Sequence, residues 1–152
     1  MNCSFVGCSA SGDGGAIYFV SGGSVGNCSF VNCSAIRGGA IYFVSEGSVE
    51  NCSFVSCSNA IFYRASGSVG NCSFVNCSSG SGGAISFGGS GVVGNCSFVN
   101  CSSGGSGGAI SFGGSSGSVG NCSFVNCSAI RGGAISFGGS SGSVNYCIFS
   151  SR

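Results

Sequence analysis

A unit of 20 to 26 residues recurs along the entire chain, and this repeat constrains the fold more than any other feature. The first cysteines of successive copies are 25, 24, 20, 24, 26 and 25 residues apart, and a second cysteine follows five residues later in every complete copy. Such a period is typical of repeat proteins, in which a unit too small to bury its own apolar face packs against the next. We therefore treat the 152 residues as one domain of units at about 2–26, 27–50, 51–70, 71–94, 95–120 and 121–144, with a partial unit at 145–152.

Segments of constant and of variable length alternate within each copy. The spacing from Val25 to Cys33 is kept in the later complete copies, and so is the Ile-x-Phe spacing of Ile17 and Phe19, although the third copy has tyrosine in place of the phenylalanine. All changes in length fall in two Gly/Ser-rich stretches, one after the second cysteine and one after the Ile-x-Phe pair. This pattern predicts short strands joined by Gly/Ser turns.

The residues of the predicted strands alternate in character. Outside the third copy, which reads Ile61-Phe62-Tyr63, Cys, Phe and Ile are constant, whereas the residue between them is Ser, Tyr or Ile. Because successive side chains of a strand point to opposite faces, the constant residues are predicted to face inward and the variable ones outward. No helical periodicity appears, and the 32 glycines argue against helix. The sequence therefore predicts an all-β chain that forms a single-stranded parallel β-helix (β-solenoid) of about six rungs.

Stacked rungs of this kind place each residue above its equivalent in the next rung. Like side chains then form columns, as they do wherever identical strands stack in register. The predicted structural ladders comprise the first cysteines (Cys3, Cys28, Cys52, Cys72, Cys96, Cys122, Cys147), the second cysteines (Cys8, Cys33, Cys57, Cys77, Cys101, Cys127), asparagines (Asn27, Asn51, Asn71, Asn95, Asn121) and phenylalanines (Phe30, Phe54, Phe74, Phe98, Phe124).

The thirteen cysteines allow three interpretations. A disulfide scaffold is the usual reason for so many cysteines, but a corner between Cys28 and Cys33 is expected to separate their Cα atoms too far for a bond within one rung. Bonds between rungs would be strained in a parallel ladder. A metal site is disfavoured because the chain has no histidine and the Cys-x4-Cys spacing is wide. We therefore favour two columns of buried thiols that act as small apolar side chains, and we expect no metal and no cofactor.

Asparagine precedes a cysteine at ten positions, and each of these positions reads Asn-Cys-Ser. Asparagine tolerates the backbone of tight corners, and stacked amides can form ladders. The same tripeptide fits the N-x-S acceptor for glycosylation. Glycosylation is thus the alternative role for these residues, with Asn27, Asn32, Asn71, Asn76, Asn121 and Asn126 as candidate sites.

The scarcity of charge excludes several functions. Four arginines, no lysine and a net charge of +1 cannot form the basic stripe of a nucleic-acid binder, so no nucleic-acid partner is expected. The chain contains no run of 18 apolar residues, so no membrane-spanning helix is predicted. Its first residues lack the pattern of a signal peptide. The chain has no histidine or lysine, and its only carboxylates for general acid–base catalysis are Asp13, Glu46 and Glu50. We therefore predict no enzyme activity and no catalytic residues. Asp13 occupies the repeat position of Arg37 and is expected to pair with it across one rung.

The string FVNCSAIRGGAIY, residues 30–42, resembles the repeats of the polymorphic outer-membrane proteins, which are autotransporter adhesins of chlamydiae. Those repeats carry F-x-x-N-x-A followed by G-G-A-[ILV]. Phe30, Ala35 and the GGAI at 38–41 match this pattern, whereas Cys33 stands at the asparagine position. The resemblance covers most of the chain, because GGAI recurs in five of the copies. It implies a right-handed β-helix, an adhesive role and an extracellular or cell-surface location.

Two functions remain open at this stage. The chain starts and stops within a repeat and shows no capping element, so rods that stack end to end into a filament, or form part of a surface stalk, are the first expectation. The partner would then be a further copy or more of the same repeats, and a surface or carbohydrate ligand stays unidentified. The alternative is an ice-binding solenoid that uses the outward serines (Ser4, Ser29, Ser53, Ser73, Ser97 and Ser123). The chain has no threonine to supply the methyl groups that favour such binding.

Overall fold

A computed structural model describes residues 2–114, 116–139 and 141–151. The described residues form only strands, turns and bends. In chain order the strands are β1 (Ser4–Val6), β2 (Ile17–Phe19), β3 (Gly23–Gly26), β4 (Ser29–Val31), β5 (Ile41–Phe43), β6 (Gly47–Glu50), β7 (Ser53–Val55), β8 (Ile61–Tyr63), β9 (Gly67–Gly70), β10 (Ser73–Val75), β11 (Ser78–Ser81), β12 (Ile85–Phe87), β13 (Gly91–Gly94), β14 (Ser97–Val99), β15 (Ser102–Ser106), β16 (Ile110–Phe112), β17 (Ser118–Gly120), β18 (Ser123–Val125), β19 (Ile135–Phe137), β20 (Ser143–Asn145) and β21 (Ile148–Ser150).

Three long parallel sheets run along the molecule. Sheet 1 has the order β1-β4-β7-β10-β14-β18-β21, sheet 2 the order β2-β5-β8-β12-β16-β19, and sheet 3 the order β3-β6-β9-β13-β17-β20. The chain visits the sheets in this sequence and then returns to sheet 1 one strand further along. This path is a β-solenoid of about six turns, so the predicted fold class is confirmed. No helix of membrane-spanning length and hydropathy occurs in the part of the chain that the structure describes.

The strands pair in the register that the repeat predicts. Phe30 pairs with Phe54, and the flanking serines and valines pair with their own equivalents. The rings of Phe30 and Phe54 are stacked, with centroids 4.9 Å apart and planes 3° apart. The predicted vertical stacking of these two residues is therefore confirmed, and the same spacing recurs along the column.

The core lies between the three sheets. Sheet 1 contributes phenylalanine, sheet 2 contributes isoleucine and an aromatic residue, sheet 3 contributes valine, and cysteine and alanine fill the corners. In the middle rungs these side chains are almost fully buried; Phe54, Ile61 and Tyr63, for example, are 0% exposed. Burial of each large apolar side chain stabilises the fold by roughly 1.5–3 kcal/mol, and no single rung can achieve this burial alone.

Asparagine allows the tight corners on either side of sheet 1. Asn27 has a φ of 56° and Asn32 a φ of 55°, in the left-handed region that asparagine tolerates better than other non-glycine residues. The backbone N–H of Asn27 donates to the carbonyl of Glu50 at 3.1 Å, and that of Asn32 to the carbonyl of Val55 at 2.9 Å. The corner is thus held to the next rung through the backbone.

The Gly/Ser stretches after the second cysteine are not all turns, contrary to the sequence prediction. Two of them form the strands β11 and β15, which pair with each other in parallel. Serine and glycine have little intrinsic strand propensity. Here the preceding strands in the core align the two stretches on adjacent rungs, so their backbone groups can pair regardless of propensity.

Some outward-facing side chains of sheet 2 are buried, although the alternation of the strands predicts that they face solvent. Tyr42 is 2% exposed although its neighbours on β5 face the core. The guanidinium of Arg37 lies 5.4 Å from the ring centroids of Tyr42 and Phe62 and covers them. Ser86 is 6% exposed, and its Oγ accepts a hydrogen bond from Nδ2 of Asn59 at 3.0 Å. The variable loops therefore fold back over part of this face.

Candidate functional surfaces

The two cysteine columns run along the corners of the core. The backbone N–H of Cys28 donates to Sγ of Cys52 at 3.5 Å, and Sγ of Cys52 lies 3.3 Å from the carbonyl oxygen of Glu50. In the second column Sγ of Cys57 lies 3.6 Å from the carbonyl oxygens of Phe30 and Val55. No disulfide links the thirteen cysteines, all of which are among the described residues. Within the same residues no group of three or more His, Cys, Asp or Glu side chains has the arrangement of a metal site.

Burial makes the thiols of Cys33 and Cys57 poor acids. It raises the pKa of Cys57 from 9.0 to about 12, and it also raises the pKa of Cys33. The unfolded chain therefore releases these protons at a lower pH than the folded chain does. Because the folded state then binds more protons, its free energy of unfolding falls as pH rises from about 9 toward 12.

We expect a thermal unfolding midpoint that falls steadily above pH 9. Each such thiol can weaken the folding equilibrium by at most tenfold per pH unit. Circular dichroism melts under a reducing atmosphere between pH 7 and pH 11 measure this effect. A midpoint that stays constant up to pH 11 would mean that the thiols are accessible to water in the folded state.

The corner asparagines that precede the cysteines point away from the core. Asn27, Asn32, Asn71, Asn76 and Asn121 are exposed, and Asn126 is half-buried. Their side chains are therefore accessible on the surface, although glycosylation of any of them stays a prediction. The amide of Asn71 donates to a carboxylate oxygen of Glu50 at 3.4 Å.

The predicted ion pair between adjacent rungs is present. Nη2 and Nε of Arg37 donate to the two carboxylate oxygens of Asp13 at 2.8 and 3.0 Å. The arginine is half-exposed, so the pair contributes at most about 1 kcal/mol. Its more distinctive role is to hold the guanidinium over Tyr42 and Phe62.

The outer face of sheet 1 carries two regular columns, which we call the serine–valine face. Ser29 and Val31 flank the inward Phe30 and are both partly exposed. The same pair recurs on six successive rungs, with serines at 4, 29, 53, 73, 97 and 123 and valines at 6, 31, 55, 75, 99 and 125. The serines were predicted from the sequence, whereas the valines were not. The signal was available, because valine follows each NCSF segment and lies two residues after the serine on the same side of the strand.

The two ends of the solenoid leave core side chains uncovered. At one end Phe149 is 52% exposed and Val144 41%, whereas Phe124 one rung further in is 1% exposed. A cavity of about 320 Å³ opens there, and Phe124, Cys127, Ala134 and Phe149 are among the residues that line it. At the other end Phe5 and Ile17 are only partly buried. We call these surfaces the β21 end and the β1 end.

Each end also exposes strand edges. Within the described residues β1, β2 and β3 pair with one strand each, as do β19, β20 and β21. Their outer backbone N–H and C=O groups therefore have the arrangement that accepts another parallel strand.

Comparison of the chain with known protein families, with curated proteins and with solved structures gave no match.

Proposed function

We propose that this protein is a structural β-solenoid that stacks end to end, as a filament or as a section of a surface stalk. The observation that carries the proposal is that both ends present the same columns of side chains. Phe5 and Phe149 belong to one column, and Ile17 and Ile135 to another. A second copy can therefore continue the packing that already holds the rungs together.

The contact between unlike ends is heterologous, and such a contact repeats without closing. It would bury apolar side chains that a single copy leaves exposed, among them Val144. It would also pair the free strand edges, which adds backbone hydrogen bonds to the apolar contacts. Both effects favour growth along the axis of the solenoid over contacts between its sides.

A pair of valine variants tests this proposal. Val144 lies in the core column of sheet 3 at the β21 end and is 41% exposed, whereas Val92 points outward from the side of sheet 3 and is 54% exposed. We expect the unmodified chain to form rods whose mean length grows with concentration. Val144→Arg should keep it monomeric because it places a charge on the end face, and Val92→Arg should still assemble.

Light scattering after size exclusion and negative-stain microscopy measure the outcome. A chain that stays monomeric at high concentration would contradict the proposal. So would equal loss of assembly in the two arginine variants.

We further propose an extracellular or cell-surface location and an adhesive role, and the support for both is that the GGAI repeats resemble those of surface adhesins. A rod at the cell surface would hold a binding surface away from the membrane, and the exposed asparagine corners would then be open to glycosylation. Labelling of intact cells with a membrane-impermeant reagent tests the location, which is wrong if the protein is labelled only after lysis.

Ice binding is a second candidate, favoured by the serine–valine face. The valines supply the methyl groups for which the sequence has no threonine, and each rung of this face presents one serine hydroxyl beside one valine. The rings behind this face repeat at 4.8 to 4.9 Å, and neither column contains a charged residue. Such a lattice can order water by hydrogen bonds and by apolar hydration together.

A thermal-hysteresis assay tests this second candidate. We expect a freezing-point gap for the unmodified chain that Val75→Arg on sheet 1 abolishes and Val92→Arg on sheet 3 preserves. The absence of any gap in the unmodified chain would exclude ice binding.

A further inference from the structure

The three sheets differ in their number of strands. Among the residues that the structure describes, sheet 1 has seven strands with β1 and β21 outermost, whereas sheets 2 and 3 have six each. Each turn of the chain passes through sheet 1, then sheet 2, then sheet 3. The first and the last of the described strands therefore both lie in sheet 1, and β21 extends one strand beyond β19 and β20.

Because of this extra strand, a second copy that docks against β21 cannot continue all three sheets. If a second copy docks its β1 against β21, its β2 and β3 stand two strand spacings, about 9.6 Å, from β19 and β20. One rung would then be missing from sheets 2 and 3, and the core columns there could not touch. If instead the incoming β1 takes the place of β21, its β2 and β3 fall directly on β19 and β20. All three sheets then continue without a gap.

The residues of β21 fit the repeat less well than those of β1. Tyr146 stands at a corner with a φ of 54°, where the other rungs have asparagine, and a bulky side chain is strained in that conformation. Ile148 and Ser150 stand where the other rungs have serine and valine. Every residue of β21 is exposed, and Tyr146 is 88% exposed.

The start of the chain matches the repeat at each of these positions. Asn2, Ser4 and Val6 are the residues that the corner and the serine–valine face carry in the inner rungs. Cys3 and Phe5 would continue the cysteine and phenylalanine columns in place of Cys147 and Phe149. An incoming β1 therefore relieves the strain at the corner and restores both columns.

We propose that β21 is a displaceable cap strand, and that copies join when β1 of one chain replaces β21 of the next. The inference rests on the proposed end-to-end assembly and specifies its mechanism. While β21 is in place, it covers Phe124 and leaves the β21 end stepped, so it slows the joining of copies. Once displaced, residues 146–151 leave the solenoid.

Two thiols at opposite ends report on this exchange. Cys3 is exposed and Cys147 half-buried in the single copy. Replacement of β21 by β1 buries Cys3 at the junction and releases Cys147. We expect N-ethylmaleimide to label Cys147 faster and Cys3 more slowly in the assembled state than in the monomer, measured for each cysteine by peptide mass spectrometry.

The other labelling patterns overturn the inference. Protection of both thiols on assembly would mean that copies stack without strand exchange, and faster labelling of Cys3 with protection of Cys147 would mean that β1 is the strand displaced. Either result leaves the proposed function intact. Failure to assemble at any concentration would overturn the proposed function and this inference with it.

A triple variant tests the strain at the corner before β21. Tyr146→Asn combined with Ile148→Ser and Ser150→Val restores the repeat residues and should hold β21 in place. We expect its half-time of assembly to increase by roughly fivefold or more. The outward substitution Val92→Ala serves as the control and should leave the half-time unchanged. Assembly of the triple variant at the original rate would count against a displaceable cap.

Discussion

Replacement of Phe74 by alanine is expected to lower the free energy of unfolding by about 3–5 kcal/mol. Phe74 is 0% exposed in the middle of the phenylalanine column. Its ring stacks on Phe54 at 4.8 Å and on Phe98 at 4.9 Å. The substitution removes both stacked contacts and leaves a cavity that the strands on either side cannot fill, because backbone hydrogen bonds to both neighbours hold β10 in register.

Chemical denaturation followed by circular dichroism measures this effect. Val92→Ala removes an exposed apolar side chain from the same solenoid and should change the free energy of unfolding by no more than about 0.5 kcal/mol. Phe74→Leu should fall between the two because it keeps most of the buried volume. Equal effects of Phe74→Ala and Val92→Ala would show that Phe74 does not lie in a packed column.

Replacement of Gly108 by alanine is expected to destabilise the stack by about 1–3 kcal/mol or more. A Cβ at Gly108 would overlap the carbonyl oxygen of Gly133 on the next rung and lie 2.6 Å from the carbonyl oxygen of Ser128. Both contacts are with backbone, which cannot move without separating the rungs. The second glycine of the GGAI motif is therefore required because adjacent rungs approach too closely for any side chain.

Gly104→Ala is the matched control for this prediction. It lies in the same Gly/Ser stretch, and a Cβ there meets nothing within 4 Å. Its thermal unfolding midpoint should equal or slightly exceed that of the unmodified chain, because alanine restricts the unfolded state. If Gly108→Ala is as stable as Gly104→Ala, the rungs do not approach each other as closely as described.

The architecture could be predicted from the sequence because the repeat determines both the positions of residues along each rung and the residues that face inward. The fixed spacing from Val25 to Cys33 places equivalent residues at the same position along every rung. The alternation of side chains along each strand determines which of them face inward. The Phe30–Phe54 stack and the Asp13–Arg37 pair follow from these two facts alone. Like residues on successive rungs can only be neighbours if the rungs stack in register.

Features that depend on tertiary contacts were not predictable in this way. β11 and β15 form from serine and glycine because neighbouring strands align them, and no local propensity indicates a strand there. The burial of Tyr42 depends on where Arg37 is held, which the alternation of the strand does not determine. The rule that identifies inward residues thus says little about which outward residues remain exposed.

The candidate surfaces were predictable to different extents. The serines of sheet 1 were identified from their constancy, but the valines beside them became apparent only when Ser29 and Val31 were seen on one face. The unequal strand count of the three sheets requires the strand order, since the repeat alone does not show where β21 ends relative to β19 and β20.

Contacts between phenylalanine rings in solution test the stacked-rung architecture most directly. Nuclear Overhauser spectra of a chain labelled at phenylalanine should connect the ring protons of Phe54 with those of both Phe30 and Phe74, whose centroids lie 4.9 and 4.8 Å away. Phe54→Leu should remove both sets of cross-peaks and identify them. A Phe54 ring that contacts neither residue, or only one of them, would contradict the in-register solenoid.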